Sequence, residues 1–483
     1  MVMMSNTEGI DRNNTVTNGQ KVKVILLLAF PAIIENFFQT ILGFVDTYFV
    51  SKLGLIEVSA VGVSNALLAI YFALFMALGV AANVYIANFI GANKVEKARH
   101  IAQQSIIIAV AFGLLTGIIT LLFAEPLLKL MGIEENVLDA GATYFRIVAI
   151  PSVFMSLMFV ISAILRGAGD TKSPMKVSIF INGINVGLDY ILIFGLWFIP
   201  AYGLTGAAVA TVVARMIGAI GLLLYTQRSE LLKFKKEYWK PDSVHLKELM
   251  VLGSPAAGER LIMRAGQIIY FGFVVTLGTN VFAAHQIAGN IEVFSYMMGY
   301  GFSTAATILV GQQIGAGRLK EAKQYAKLSL YLAIGVMTLF GGVLFIAGEW
   351  AGTFFSEDPN VTSNIGTALK VSGVFQPFLA VVLILTGAFQ GANNTKFPMY
   401  LTGIGMWAIR TLFVYLLGIK LGMGLMGVWI AIGLDIGFRA IVLTVQFSRD
   451  KWIIQKVNPK EDPEAHCHPE TTKDDLPACV NSY

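Results

Sequence analysis

Two aspartates lie inside long apolar segments, where an ionisable side chain is costly to insert. Asp46 lies near the end of the first segment, and Asp189 follows Asn185 by four residues in a later one. Residues four apart share one face of a helix. A charged group at the centre of a spanning helix costs roughly 2.5–3.5 kcal/mol on insertion scales. Two carboxylates and an amide therefore predict a proton or Na⁺ site.

The depth of these acids leaves two interpretations open. At about 1.5 Å per residue, Asp46 and Asp189 both fall in the outer halves of their segments. If the two carboxyls meet in a medium of low dielectric constant, both cannot stay ionised, and one must hold a proton. The alternative is that each lines a wet vestibule near the outer surface and has no coupling role.

Other polar residues in the segments have more ordinary explanations beside functional ones. Pro31, seven residues into the first predicted segment, removes a backbone hydrogen bond, so it is a hinge, a static bend or the sign of a later helix start. Glu35 and Glu259 follow Pro31 and Pro255 by four residues, and local ion pairing is favoured for them over coupling.

The second half of the chain carries a different polar set, some of which is expected to pair across helices. It comprises His285, Gln286, Glu292, Arg410, Asp435 and Arg439. Aromatic and Met side chains nearby suit flat hydrophobic cations through dispersion and cation–π contacts. Tyr270, Met297 and Tyr300 are therefore candidates for a substrate surface, although ordinary helix packing explains each of them equally well.

These residues lie in a chain that is solvated by lipid. It has 483 residues, 56% of them hydrophobic and 13% charged, whereas soluble domains carry about 25% charged residues. Runs of about twenty apolar residues span a bilayer as helices. The fold class predicted is an all-α polytopic membrane protein with twelve transmembrane helices, over about 24–50, 58–90, 101–123, 141–164, 175–198, 203–226, 248–275, 281–314, 325–347, 366–389, 398–419 and 425–448.

The two halves repeat at an offset of 224 residues. Pro31 matches Pro255, and the loop at 167–175 matches the loop at 391–399. Six helices per copy give both copies the same topology, with a pseudo-two-fold axis along the membrane normal. The predicted domains are a polar N-terminus (1–20), an N-terminal lobe (21–226), a linker (227–247), a C-terminal lobe (248–448) and a polar tail (449–483). Such a pair typically encloses a cavity to which access alternates.

Charge in the loops predicts the orientation. Most loop Lys and Arg residues follow even-numbered segments, whereas the loops after odd-numbered segments hold only Lys52, Lys129 and Lys420. The positive-inside rule therefore places the even loops and both termini in the cytoplasm. The expected location is the plasma membrane, and the expected state is a monomer.

Enzyme and metal signatures are missing from the sequence. There is no phosphate-binding Gly-Lys loop, no His-Glu-x-x-His and no Gly-x-Ser-x-Gly. The run from His466 to His468, with Cys467 between, fits no standard zinc spacing. No enzymatic activity, no cofactor, no metal beyond a coupling ion and no nucleic-acid partner are expected.

Several motifs together resemble the multidrug and toxic compound extrusion (MATE) transporters. They are Val45 to Val50 with Leu53-Gly54, Leu165 to Lys172, Asn185 to Tyr190, and Gly203 to Thr211. The resemblance covers roughly residues 20–450. It implies a V-shaped pair of six-helix lobes that exports drug-like, often cationic compounds by H⁺ or Na⁺ antiport.

The same resemblance implies a coupling site in the N-terminal lobe. It would comprise Asp46, Asn185 and Asp189, with Tyr144 and Thr211 as neighbours and Pro31 as the bend that responds to protonation. Where NorM-like members carry an acid in the seventh helix, this chain has Met263, which joins the candidate substrate surface. That departure resembles the DinF-like branch and favours H⁺ over Na⁺.

Three rival functions remain weaker. A lipid-linked precursor flippase of the same superfamily typically has two additional helices and a cationic cavity. A membrane-embedded transferase needs a clustered acidic motif near a membrane face, and a channel needs a polar pore stripe. The sequence shows none of these features, so drug-like small molecules are the expected substrates.

Overall fold

The computed structural model describes residues 17–196 and 199–453, and these ranges are almost entirely helical. The first sixteen residues and most of the polar tail, including His466, Cys467, His468 and Cys479, lie outside the described residues. The helices are α1 (Asn18–Ser51), α2 (Leu55–Gly91), α3 (Val95–Leu130), α4 (Glu135–Ala149), α5 (Ser152–Gly167), α6 (Lys172–Phe194), α7 (Gly203–Arg228), α8 (Ser243–Thr276), α9 (Thr279–Gly315), α10 (Leu319–Thr353), α11 (Pro359–Gly391), α12 (Lys396–Ile404) and α13 (Gly424–Ser448).

The all-α membrane fold is confirmed. Ten helices in the described ranges are long and apolar enough to cross a membrane, counting α12 with its continuation to Lys420, and α4 with α5 forms a further span bent by 48°. The helix α8 has the length but also carries Glu259, Arg260 and Arg264. Each of the twelve predicted segments corresponds to one of these spans or to α8.

One predicted segment is broken. The fourth was predicted as a single helix, but α4 ends at Ala149 and α5 begins at Ser152. Pro151 lies in the gap, where its missing N–H and its ring prevent a continuous helix. The predicted start of the first segment was also too late, because a capping box between Thr17 and Gln20 starts α1 at Asn18.

The repeat seen in the sequence is also a repeat of backbone geometry. The helices α2, α3 and α6 begin 224 residues before α9, α10 and α12. Left-handed backbone occurs at matching loop positions: Asn93 (φ 58°) and Gly317 (φ 72°), and Gly169 (φ 88°) and Asn393 (φ 61°). The two lobes therefore repeat helix boundaries and turn conformations as well as composition.

The register shifts by one residue near the end of the repeat. After Ile404 the chain continues as π-helix over Gly405–Thr411 and Val414–Lys420, and π-turns accommodate extra residues. Gly206 packs on the backbone of Leu192, whereas its counterpart Gly427 packs on that of Leu417. The pairing of Asp189 with Phe413 expected from a constant offset therefore falls in the shifted stretch.

The lobes meet where α2 and α9 end. Gly91 lies on the backbone of Gln312, and Gly315 lies on the backbone of Asn88. A Cβ atom on either glycine would stand 1.9 Å from the facing carbonyl oxygen. The two contacts are related by the 224-residue offset, so they form a pseudo-symmetric pair.

Two hydrogen bonds between the lobes obey the same symmetry. The Asn88 amide donates to the Gly391 carbonyl (3.3 Å), and the Gln312 amide donates to the Gly167 carbonyl (3.4 Å). The end of the molecule that carries most of the basic loops is therefore closed by matched contacts from both copies.

Two adjacent glutamines on α3 hold the linker between α7 and α8. Gln103 exchanges hydrogen bonds with the backbone of Lys235, donating and accepting at 2.8 Å. Gln104 donates to the carbonyls of Tyr238 and Lys240 and accepts from the Asp242 N–H at 3.0 Å. The linker is consequently fixed against the beginning of α3.

Candidate functional site

The predicted coupling residues come from four helices of the N-terminal lobe. Asp46 lies near the end of α1, Tyr144 on α4, Asn185 and Asp189 on α6, and Thr211 on α7. Asp189, Asn185 and Tyr144 are buried, and Asp46 and Thr211 are partly buried. All five lie toward the same end of the lobe, opposite to the end where α2 and α9 meet.

The two carboxyl groups lie within hydrogen-bonding reach of each other. Neither oxygen of Asp189, nor Oδ1 of Asp46, has a hydrogen-bond donor among the described residues. Two ionised carboxylates repel each other strongly in a medium of low dielectric constant. The geometry therefore suits one shared proton or one cation between the acids.

Unpartnered amides on the same face of α6 add to this site. Asn182 and Asn185 are buried, and the Nδ2 atom of each lacks an acceptor in the described part of the chain. Asn182, Asn185 and Asp189 follow at three and four residues, so they line one helical face. Roughly nine in ten buried polar groups have a partner in folded proteins. So many orphaned atoms together indicate a place for water or a small cation.

Arg215 belongs to the site but was missed by the sequence analysis. It lies one turn after Thr211 on α7, with its guanidinium over the Phe72 ring at 5.8 Å. It is close enough to Asp46 and Tyr144 for their charges to interact. Its presence inside the apolar run 203–226 was a signal, since a cation there is as costly as an acid.

Tyr144 and Thr211 make different contributions. The Tyr144 side chain is near enough to interact electrostatically with Arg215 and with both aspartates. The Thr211 hydroxyl donates to the Ala207 carbonyl of its own helix at 3.0 Å. Thr211 therefore already has a partner for its proton, although its oxygen can still accept.

Pro31 and the two paired glutamates sit outside the carboxyl pair. The helix α1 runs through Pro31 from Asn18, so a later helix start at this proline is wrong. The hinge stays a prediction. Glu35 forms an ion pair with Arg166 on α5 at 3.0 Å, while Glu259 accepts from the Thr402 hydroxyl at 3.1 Å.

The C-terminal lobe contains a closed ion network where the N-terminal lobe has its carboxyl pair. Asp435 is fully buried and pairs with Arg410 on the preceding span at 2.7 Å and with Arg439 at 2.8 Å. The expected pairing across helices is confirmed. Glu292 on α9 accepts hydrogen bonds from Ser372 and Gln376 on α11.

The sequence and fold now identify the family. The MatE family matches residues 31–191 and 255–416, which together make up more than half of the chain. The chain belongs to the MatE family. The two matched ranges begin 224 residues apart, as the internal repeat does.

Relatives of this MatE protein match almost its whole length. A probable multidrug resistance protein NorM of Thermotoga maritima is 32% identical over 432 residues, covering 89% of this chain and 93% of the relative. The uncharacterized transporter YisQ of Bacillus subtilis is 29% identical over 427 residues, covering 88% and 94%. An outward-facing multidrug resistance MATE transporter of the MOP superfamily superposes with a TM-score of 0.83 at 24% identity, over 90% and 98% of the chains, which shows a shared fold.

The candidate substrate surface of the MatE chain is only partly exposed. Met263 is 36% exposed, and Met297 and Tyr300 are intermediate. The Tyr300 oxygen accepts from Arg260 at 2.6 Å. Tyr270 is 4% exposed and packs edge-on against Phe271. The role of this surface and the assignment to a DinF-like branch both stay predictions.

Proposed function

We propose that this MatE protein is a secondary antiporter that exports amphipathic, often cationic organic compounds in exchange for H⁺. Na⁺ is the other candidate for the coupling ion, at Asp46, Asn185 and Asp189. The observation that carries the proposal is the carboxyl pair of Asp46 and Asp189 without a protein donor. The multidrug resistance names of relatives that match nearly the full length support the substrate class.

The site can pass its charge state to the other lobe through α1. Phe37 and Phe44 on α1 contact Phe294 on α9, with ring centroids 5.9 and 6.3 Å apart. Phe44 precedes Asp46 by two residues. A change in repulsion between Asp46 and Asp189 would therefore act on a helix that touches both lobes.

Arg215 supplies the opposite charge that makes the exchange reversible. When the carboxyl pair loses its proton, the negative charge is left in a buried site, where a nearby guanidinium lowers its cost. When a proton or cation returns, the guanidinium competes with it. Arg215 thus helps keep the site from holding its ion permanently, which an antiport cycle requires.

The remaining features complete the proposal. Substrate binds between or within the lobes, with Met263, Met297 and Tyr300 as contacts. The protein works as a monomer in the plasma membrane with both termini in the cytoplasm. The matched contacts of α2 and α9 are the seal on the cytoplasmic side.

Efflux from everted vesicles tests the coupling role. Ethidium export is measured under a proton gradient alone and a sodium gradient alone, for the wild type and for Asp46→Asn and Asp189→Asn. We expect proton-driven efflux, and a loss of at least about tenfold in rate for each variant, equivalent to about 1.4 kcal/mol. The double variant should lose no more than either single variant, because the two groups act as one site.

Asp139→Asn provides the matched control. Asp139 is an exposed acid on α4, so its loss of charge should leave efflux unchanged. Equal thermal unfolding of the variants in detergent excludes misfolding. Proton-driven efflux that Asp46→Asn leaves intact would overturn the role of the pair, and efflux driven only by sodium would replace H⁺ with Na⁺.

A further inference from the structure

Three metal-ligating side chains converge at the junction of the lobes, away from the carboxyl pair. His100 lies in the second turn of α3, Asp242 ends the linker, and His245 lies in the first turn of α8. His100 Nε2 is 3.8 Å from Asp242 Oδ2, and His245 Nδ1 is 2.7 Å from the same oxygen. One ligand atom from each residue lies within 4.8 Å of the other two.

The backbone around these ligands is held in place by other contacts. The Gln104 side chain accepts from the Asp242 N–H and donates to the Tyr238 and Lys240 carbonyls. The Tyr238 ring stacks on His100 with centroids 4.7 Å apart. Ligands on fixed elements lose little freedom when they bind, which is what a metal site needs.

Helix capping explains only part of the cluster. Asp242 caps α8 by accepting from the Val244 N–H at 2.9 Å, and its other oxygen accepts from His245. That hydrogen bond lowers the pKa of Asp242, so the side chain is a carboxylate at neutral pH. Capping does not require His100, which comes from the other lobe and places its ring 4.4 Å from that of His245.

The donor set points to a particular class of ion. Two imidazoles and one carboxylate favour first-row divalent metals, Zn²⁺ above all, over Ca²⁺ or Mg²⁺. Bonds of about 2.1 Å in a tetrahedral site place ligand atoms about 3.4 Å apart. The observed 2.7 and 3.8 Å lie on either side of that value, so side-chain rotations suffice and a fourth position stays open to water.

We propose that His100, Asp242 and His245 bind a first-row divalent transition-metal ion, with Zn²⁺ the preferred one. The ligands come from α3 of the N-terminal lobe and from the start of α8 in the C-terminal lobe. A bound ion therefore ties the linker to α3 and stabilises this junction. The site is independent of the transport proposal and is testable without any transport measurement.

The experiment uses the full-length protein in detergent with Co²⁺ as a spectroscopic probe and Zn²⁺ as competitor. The background carries His466→Ala, Cys467→Ala and His468→Ala, so that the tail cannot supply ligands. We expect one equivalent of Co²⁺ with tetrahedral absorption bands, displaced by Zn²⁺. His100→Gln and His245→Gln should each weaken binding at least about tenfold, because a ligand is lost from a three-residue site.

Tyr238→Phe is the matched control, since it keeps the ring on His100 and removes only the hydroxyl that donates to Glu96. It should bind Co²⁺ like the background. Zn²⁺ should also raise the unfolding temperature of the background and of Tyr238→Phe but not of His100→Gln. His100 lies outside the α8 cap, so this variant answers the question even where His245→Gln fails to fold.

Two results would overturn the site. One is that the background with the altered tail shows no tetrahedral Co²⁺ spectrum. The other is that His100→Gln binds Co²⁺ as tightly as the background does.

Discussion

The carboxyls of Asp46 and Asp189 come from helices far apart in the chain, and each is expensive to bury by itself. Their approach is tolerable only with a proton or cation between them, because like charges repel strongly where water is scarce. Arg215 limits the opposite cost when the site is empty of its ion. At the scale of single residues, the site is therefore a balance of three charges rather than a simple pair.

Asp435 offers a test of a buried charge whose role is structural. It is fully buried between Arg410 and Arg439. Asp435→Asn should lower the free energy of unfolding by about 3–5 kcal/mol, because two buried guanidinium groups lose their counter-charge. The measurement is reversible unfolding in detergent micelles.

The control for this variant is Glu349→Gln. Glu349 pairs with Lys370 at 3.5 Å, but both side chains are about half exposed. An exposed pair contributes about 0–1 kcal/mol, so this change should be nearly neutral. If Asp435→Asn unfolds as easily as the control, the buried network does not stabilise the lobe.

At the scale of elements, the crossing of α2 and α9 decides how the lobes meet. Close approach of two helix backbones requires residues without side chains at the contact. Gly91 and Gly315 occupy those places, and Gly301 and Gly253 supply a second pair, against Ala29 and Ala77. Each pair is repeated by the 224-residue offset, so the symmetry of the sequence becomes symmetry of the interface.

Gly91→Ala and Gly315→Ala should each force the lobes apart at this end. The added Cβ would overlap a carbonyl oxygen at 1.9 Å, and overpacking costs roughly 1–3 kcal/mol. We expect a lower unfolding temperature and slower efflux for both, with less than additive effects in the double variant.

Gly183→Ala controls for the loss of a glycine from a spanning helix. No atom lies within 4 Å of a Cβ at Gly183 on α6. Since Ala has the higher helix propensity, this variant should be neutral or slightly stabilising. Unaltered efflux in Gly91→Ala would mean that the contact is not part of the transport cycle.

At the scale of the whole molecule, the two lobes share a backbone plan but carry different charges. The N-terminal lobe exposes orphaned carboxyls and amides to one another, whereas the C-terminal lobe satisfies its acid with two arginines. An unsatisfied group can exchange an ion, and a satisfied one resists change. Coupling is therefore expected in one lobe and structural support in the other.

The orientation of the whole protein is testable by cysteine labelling. In a Cys467→Ser/Cys479→Ser background, Lys129→Cys should react with a membrane-impermeant maleimide on intact cells. Lys233→Cys should react only after permeabilisation, because basic loops stay in the cytoplasm. Both lysines are exposed, so burial does not limit labelling. The reverse pattern would invert the topology.

The sequence by itself determined the membrane class, the positions of the spanning segments and the repeat. These properties depend on local hydropathy and on chain self-similarity, which need no knowledge of contacts. The carboxyl site was also within reach, since acids in apolar segments are conspicuous. The break at Pro151 and the early start at Thr17 were missed, because both depend on local backbone chemistry inside or beside a hydrophobic run.

Only the tertiary structure decided which distant groups meet. It placed Arg215 beside the acids, closed the Asp435 network, and set Gly91 against Gln312. It also brought His100 to Asp242 and His245 across the linker. The physical reason is that hydropathy fixes where a helix crosses the bilayer, whereas its rotation and neighbours are set by packing between segments far apart in the chain.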